Sequence, residues 1–179
     1  MYELSEEAQR ILRPEVISAA SVNDLAAAGL FPDALKFLAH SLGGRKCIAW
    51  SLACLRELEL STPKQEVAIA AVEKWLAEPT DDNRRAAHDA AQQAKISTPA
   101  GCIAQAVFFS EGSIAPKGAN EVPPPPHVAE KIAAGGVLLA VVSEPTKAAE
   151  RYQRCIAIAL QKGTDDFSLP ANSPPPKIA

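Results

Sequence analysis

The chain has 179 residues, 47% of them hydrophobic and 22% charged, with a formal net charge of −3. That length supports a single domain whose core needs neither metals nor disulfides. With 18 basic and 21 acidic residues and no Lys/Arg block, there is no electrostatic basis for a nucleic-acid partner. Alanine occurs 34 times while aromatic residues make up only 5%. Alanine is the best helix former, and its small side chain lets helix axes approach closely. Strand-type alternation of apolar and polar residues is sparse. The composition therefore predicts an all-α fold: a compact irregular bundle of about eight short helices, a Pro-rich crossover loop and a disordered Pro-rich tail.

Taken in order, Ser5 caps a short helix over Ser5–Leu12, with Glu6 and Glu7 near its positive end. Pro14 restarts the chain into Glu15–Ala20, and Ser21 caps Val22–Ala28, which Gly29 stops. Phe31-Pro32-Asp33 opens a longer helix with Leu35, Leu38 and Leu42 on one stripe, ended by Gly43-Gly44. The next helix, Arg45–Leu60, carries Cys47, Ile48, Trp50, Cys54, Leu55 and Leu58 on a broad apolar band. Two helices joined by two glycines are expected to pack as an antiparallel hairpin.

Ser61-Thr62-Pro63 starts a third long helix reaching about Ala77, with Val67, Ile69, Trp75 and Leu76 expected on the buried side. Thr80 caps Asp81–Lys95, a strongly polar helix expected to lie on the outside, only its alanines and Ile96 turning inward. Thr98-Pro99-Ala100-Gly101 then opens Cys102–Ser110, apolar nearly all round and hence expected to be central. Ser110–His127, with five prolines, is an irregular crossing to Val128–Ser143. Gly135 and Gly136 in that helix cost about 1 kcal/mol each in propensity, which predicts a helix crossing close by. Pro145 starts the last helix, Thr146–Gln161, with Tyr152, Ile156, Ala159 and Leu160 inward and Arg151 more exposed. Residues 1–163 are thus read as one helical domain and 164–179 as the tail.

The longest apolar run, Ile132–Val142, has eleven residues, against roughly 20 for a membrane span. The N-terminus lacks the basic and apolar regions of a secretory signal. Both features point to a cytoplasmic protein with no membrane partner. Cys47, Cys54, Cys102 and Cys155 have no zinc-type spacing and read as reduced, buried thiols, so no cofactor or metal is expected.

The sequence contains no recognisable reaction centre: no H-E-x-x-H, G-x-S-x-G, P-loop or dinucleotide fingerprint. Arg84, Arg85 and His88 form a candidate anion or contact site, read against a plainer solvated face with Arg84 paired to Asp81 or Glu78. Pro123, Pro124, Pro125 and Pro126 favour a stiff polyproline II rod, read first as a rigid spacer or helix lead-in and, as the alternative, as a docking edge. His127 ends the rod at a helix start. These eight residues are the candidate protein contacts.

Read together, FPDALKFLAH, NRRAAHDAA, TPAG, GSIAPKG, VPPPPH and KAAERYQR resemble an uncharacterised bacterial domain-of-unknown-function family over about Phe31–Leu160. The resemblance brings no catalytic residues. It implies genes near type VI secretion clusters and an accessory, adaptor or chaperone-like role. The resulting expectation is a non-enzymatic module that binds another protein, such as a secretion component or effector. Alternatives are an immunity-type protein that neutralises a toxin, and a hydrolase or transferase built around His88 and Arg84.

Overall fold

The computed structural model describes residues 4–12 and 19–162. Those residues form α1 (Glu6–Ile11), α2 (Ala19–Ala27), α3 (Phe31–Leu42), α4 (Gly44–Leu58), α5 (Pro63–Ala77), α6 (Asp81–Ala94), α7 (Pro99–Phe108), α8 (Val128–Val142) and α9 (Ala148–Lys162). A 3-10 turn, Pro145–Lys147, leads into α9, and the described residues contain no strand. The fold is all-α, as composition predicts. Pro14, the first four residues of the expected 15–20 segment and the tail, 164–179, lie outside the described residues. No single described helix is long and apolar enough to cross a membrane.

Local chemistry explains most starts. Ser5, Thr80 and Thr98 accept hydrogen bonds from the backbone N–H groups of Ala8, Asn83 and Gly101, satisfying donors that have no intrahelical partner. Pro32, Pro63 and Pro99 occupy first-turn positions, where a missing N–H costs nothing. Ser5 also donates through its hydroxyl to Asp33 at 2.9 Å, while its N–H reaches the same carboxylate at 3.0 Å, tying α1 to the start of α3. Ser21 does not cap α2: that helix begins at Ala19, and Ser21 is buried within it.

The core is organised around α7 and α8. α7 packs on α8, α6, α5 and α4; α8 packs on α7, α4 and α3. Ile103, Ala104, Ala106 and Val107 of α7 are fully buried, as are Ala133, Val137, Ala140 and Val141 of α8. Gly136 permits their approach. A Cβ there would lie 2.9 Å from the Cys102 Cβ and 3.0 Å from the Pro99 carbonyl oxygen. α9 closes the far side against α3, α4 and α2, with Tyr152 stacked on Phe31 at 5.4 Å and the Trp50 indole donating to the Cys155 carbonyl at 2.9 Å.

Four placements differ from the sequence reading. α3 and α4 meet mainly at their Gly43-Gly44 junction rather than as an antiparallel hairpin. Both bury their apolar faces on α8, whose Glu130 accepts the Gly44 N–H at 2.8 Å. Val67 is 51% exposed, because the inward stripe of α5 runs through Ala68, Ile69, Val72 and Trp75. α6 packs its alanines on α5 and α7 and leaves Asp81, Asp82, Asp89, Gln92 and Gln93 exposed, as expected of an outer helix, but it also buries Asn83 and Arg84. Arg151 is buried and donates to the Ala140 carbonyl, the Ser143 hydroxyl and the Glu144 carboxylate.

Candidate functional site

Two regions of the molecule contain the residues of interest: the crossing between α7 and α8, and the outer faces of those two helices.

The crossing folds on itself. Ile114 donates its N–H to the Val122 carbonyl at 2.8 Å, and the Ser113 hydroxyl accepts from the N–H groups of Ala115 and Val122. Ala119 donates to the Pro116 carbonyl, with Gly118 beside it at φ 83°. α6 then clamps the closed loop. Arg84, only 1% exposed, donates to the Phe108 carbonyl at 2.5 Å and to the Ser113 carbonyl at 2.7 Å. Its guanidinium also lies over the Phe108 ring at 5.0 Å and pairs with Asp81 at 2.5 Å. Arg85 bridges Asp81, at 2.8 Å, to the Ala115 carbonyl at 3.0 Å. Lys117 of the loop pairs with Asp82. Bonds from Arg85 and Arg84 hold the Asp81 carboxyl below its ordinary range.

This changes the reading of three candidate contacts. Arg84 is no solvated cation; its role is to satisfy backbone carbonyls where α7 ends, a place that leaves carbonyls without helical partners. Its pairing with Asp81 is as the spacing suggests. Arg85 is largely covered by the same loop. His88 does not face open solvent: it is half-buried, its Nδ1 lies 2.9 Å from Gln105 Oε1, and its ring stacks on Phe108 at 4.3 Å.

The proline rod is more open. Pro123, Pro125 and Pro126 are exposed and Pro124 is half-buried. Val128 donates back to the Pro125 carbonyl at 3.3 Å, and His127 caps α8 in the left-handed region, φ 59°. The exposed His127 ring meets His40, at the end of α3, with ring centroids 4.6 Å apart. Burial, then the His127 charge, holds His40 below its ordinary value, while Glu130 opposes the shift.

The outer faces of α7 and α8 enclose a feature the sequence reading did not isolate. It is an open groove of about 630 Å³ lined by Ile96, Cys102, Phe109, Ile132, Leu138 and Val142, with Gln105 as its polar amide and Gly135 and Leu139 completing it. Ile96 is 51%, Val142 47% and Leu139 39% exposed. Ile96 thus lies past the end of α6 and lines the surface instead of turning inward. Cys102 is half-buried here, unlike Cys47, Cys54 and Cys155 in the core. Burial raises the thiol pKa of Cys47, Cys54 and Cys102, which disfavours the reactive thiolate. One available signal was that α7 and α8 are apolar on more sides than a core requires. The other was the second glycine. Nothing lies within 4 Å of where a Gly135 Cβ would be, so internal packing explains Gly136 but not Gly135.

Residues 21–162 match the model of a family described as "Family of unknown function (DUF6931)". The chain belongs to DUF6931. No curated protein and no solved structure matches it. The stretches that carry the resemblance meet in pairs across the fold. Arg84 and Arg85 of NRRAAHDAA hold Ser113 and Ala115 of GSIAPKG. Tyr152 of KAAERYQR stacks on Phe31 of FPDALKFLAH, and His40 at the end of that stretch meets His127 of VPPPPH. Gly101 of TPAG passes so close to the Lys95 carbonyl that no Cβ fits. Much of this pattern is therefore accounted for by how the helices are joined.

Proposed function

We propose that this member of DUF6931 is a non-enzymatic protein-binding module, acting in the cytoplasm as an adaptor or chaperone-like accessory of type VI-like effector delivery. The observation that carries the binding reading is the exposed apolar groove between α7 and α8. Its occupant on this reading is the apolar face of a helix from the partner protein. Contiguous exposed apolar surface is a common mark of interaction sites, and helix-in-groove docking is a recurring mode. The delivery context rests on the sequence resemblance. The side chains around which an unfamiliar reaction centre would be built are engaged elsewhere: Arg84 under the loop and His88 with Gln105 and Phe108.

The test compares two surfaces by pull-down against the products of the neighbouring delivery genes. Leu139→Asp places a charge in the groove at an exposed position and is expected to abolish capture without lowering the melting temperature. Pro124→Ala with Pro125→Ala alters the rod and is expected to leave capture intact. The opposite pattern would make the rod the docking face and overturn the groove assignment. Adding the captured protein's own activity assay separates an adaptor, which leaves it unchanged, from an immunity protein, which inhibits it.

A further inference from the structure

The two ends of the proline rod are held by different chemistry. At its start, the Val122 carbonyl accepts the Ile114 N–H at 2.8 Å, and the Val122 N–H donates to the Ser113 hydroxyl at 3.0 Å. Neither bond involves a group that titrates near neutral pH. At its end, the His127 ring meets the His40 ring edge-on, with centroids 4.6 Å apart and planes inclined at 63°. Histidine is the side chain whose ordinary charge change falls between about pH 5 and pH 8. Of the four prolines only Pro124 is half-buried, so the rod has little else to rest on between those ends.

His127 is also held in a strained backbone conformation. It caps α8 at φ 59° and ψ 12°, and its side chain makes no capping bond. A left-handed residue other than glycine persists where its surroundings fix it. Those surroundings are the His40 ring and two backbone bonds: Val128 N–H to the Pro125 carbonyl at 3.3 Å, and Lys131 N–H to the His127 carbonyl at 3.2 Å. Further along, α8 is secured independently, with Ala133, Val137, Ala140 and Val141 buried in the core.

The charges that bear on this contact favour one proton on the pair and oppose a second. Glu130 of α8 favours a cation on His40, although its carboxylate already accepts the Gly44 N–H at 2.8 Å. The negative end of α3, where His40 lies, does the same. Against them stand the His127 charge and, more weakly, the amino-terminal charge. Lys36 and Lys131 each lie four residues from one of the two histidines on the same helix, adding positive charge on both sides. His127 itself stands at the positive end of α8, which disfavours a cation there. On α4, burial keeps the Cys47 thiol neutral.

We propose that the His40–His127 contact is a proton-released latch: neutral rings hold the end of the rod against α3, and protonation of both drives His127 away, freeing residues 123–127 and the first turn of α8. Burial and the His127 charge hold His40 below its ordinary value of 6.5. The latch is therefore closed above that value and opens as pH falls below it, because the separated rings take up protons that the closed pair resists. Neither histidine lines the α7–α8 groove, so the latch is independent of what the groove binds.

The experiment measures amide hydrogen exchange of the full chain by NMR at pH 7.5 and pH 5.0, with rates corrected for the pH dependence of the chemical step. The Val128 and Lys131 amides are expected to lose about tenfold in protection at pH 5.0, the scale of a one-unit displacement of a histidine proton. Ile114, at the other end of the rod, and Val137, deeper in α8, are expected to stay unchanged. His127→Asn is expected to abolish the loss while keeping the fold, since asparagine accepts a left-handed position. His40→Asn is expected to abolish it from the α3 side. Unchanged protection of Val128 and Lys131 in the wild-type chain would overturn the latch, as would a loss that persists in either variant. An equal loss at Val137 would show general acid unfolding and overturn it as well.

Discussion

The α6 clamp and the α7–α8 groove lie at opposite extremes of polar satisfaction. At the clamp, Arg84 and Arg85 spend their donors on Asp81 and on the carbonyls of Phe108, Ser113 and Ala115. In the groove, Ile96, Leu139 and Val142 remain exposed around a glycine that no internal neighbour requires. The cationic motif singled out in the sequence spends its donors on internal bonds, and the apolar stretch read as core contains the open surface. A buried cation is retained only where its bonds compensate for desolvation, so its conspicuous charge says little about partners. Exposed apolar side chains in one contiguous groove have no such internal compensation.

The sharpest way to break this comparison is to remove the clamp. Arg84→Ala leaves the Phe108 carbonyl without its charged donor and is expected to destabilise the fold by about 3 kcal/mol, measured by urea denaturation. A loss under about 0.5 kcal/mol would show that the guanidinium does not hold the crossing. The two adjacent glycines should then respond with opposite signs. Gly136→Ala forces α7 away from α8 and is expected to cost about 2 kcal/mol. Gly135→Ala meets open space and is expected to gain about 1 kcal/mol. Equal effects in the same denaturation assay would contradict the close crossing at Gly136.

A smaller effect concerns the base of the rod. Burial and the neighbouring His127 hold His40 below its ordinary value of 6.5. As pH falls, the unfolded chain therefore takes up a proton before the folded protein does. This contribution leaves stability undiminished above the unfolded value. Stability then declines as pH drops below 6.5 towards the folded value. His40→Asn is expected to flatten the stability profile between about pH 7 and pH 5, and an unchanged profile would remove His40 as its source. The smallest expected effect belongs to the exposed rod. Pro124→Ala with Pro125→Ala should shift stability by less than about 1 kcal/mol, through the entropy of the unfolded chain, and a larger loss by thermal melting would make the rod part of the clamp.

The helices themselves were legible because their signals are local. Thr80 and Thr98 cap as their positions predict, Pro63 and Pro99 mark first turns, and the apolar character of Cys102–Ser110 announced a central helix. The candidate site was less legible. Arg84 and His88 were read from residue type, and their type does not reveal that Phe108 covers both. Ile96 and Val67 were assigned inward from hydrophobicity, yet both are half exposed, because a helix stripe is decided by which neighbours arrive. The groove draws on α7, α8 and the end of α6, so no contiguous stretch displays it.

For Ser110–His127, the sequence by itself determined that a stiff irregular segment must join two apolar helices, since proline removes donors and fixes φ locally. It also determined the all-α class, through alanine content, capping residues and spacing. Only the tertiary structure decided that the segment is tied down by Arg84 and Arg85, that α3 and α4 pack on α8 instead of on each other, and that Gly135 faces open space while Gly136 faces α7. The physical reason is one of range. Caps and turns are settled within four or five residues, whereas burial is settled by elements that meet only when the whole chain has packed.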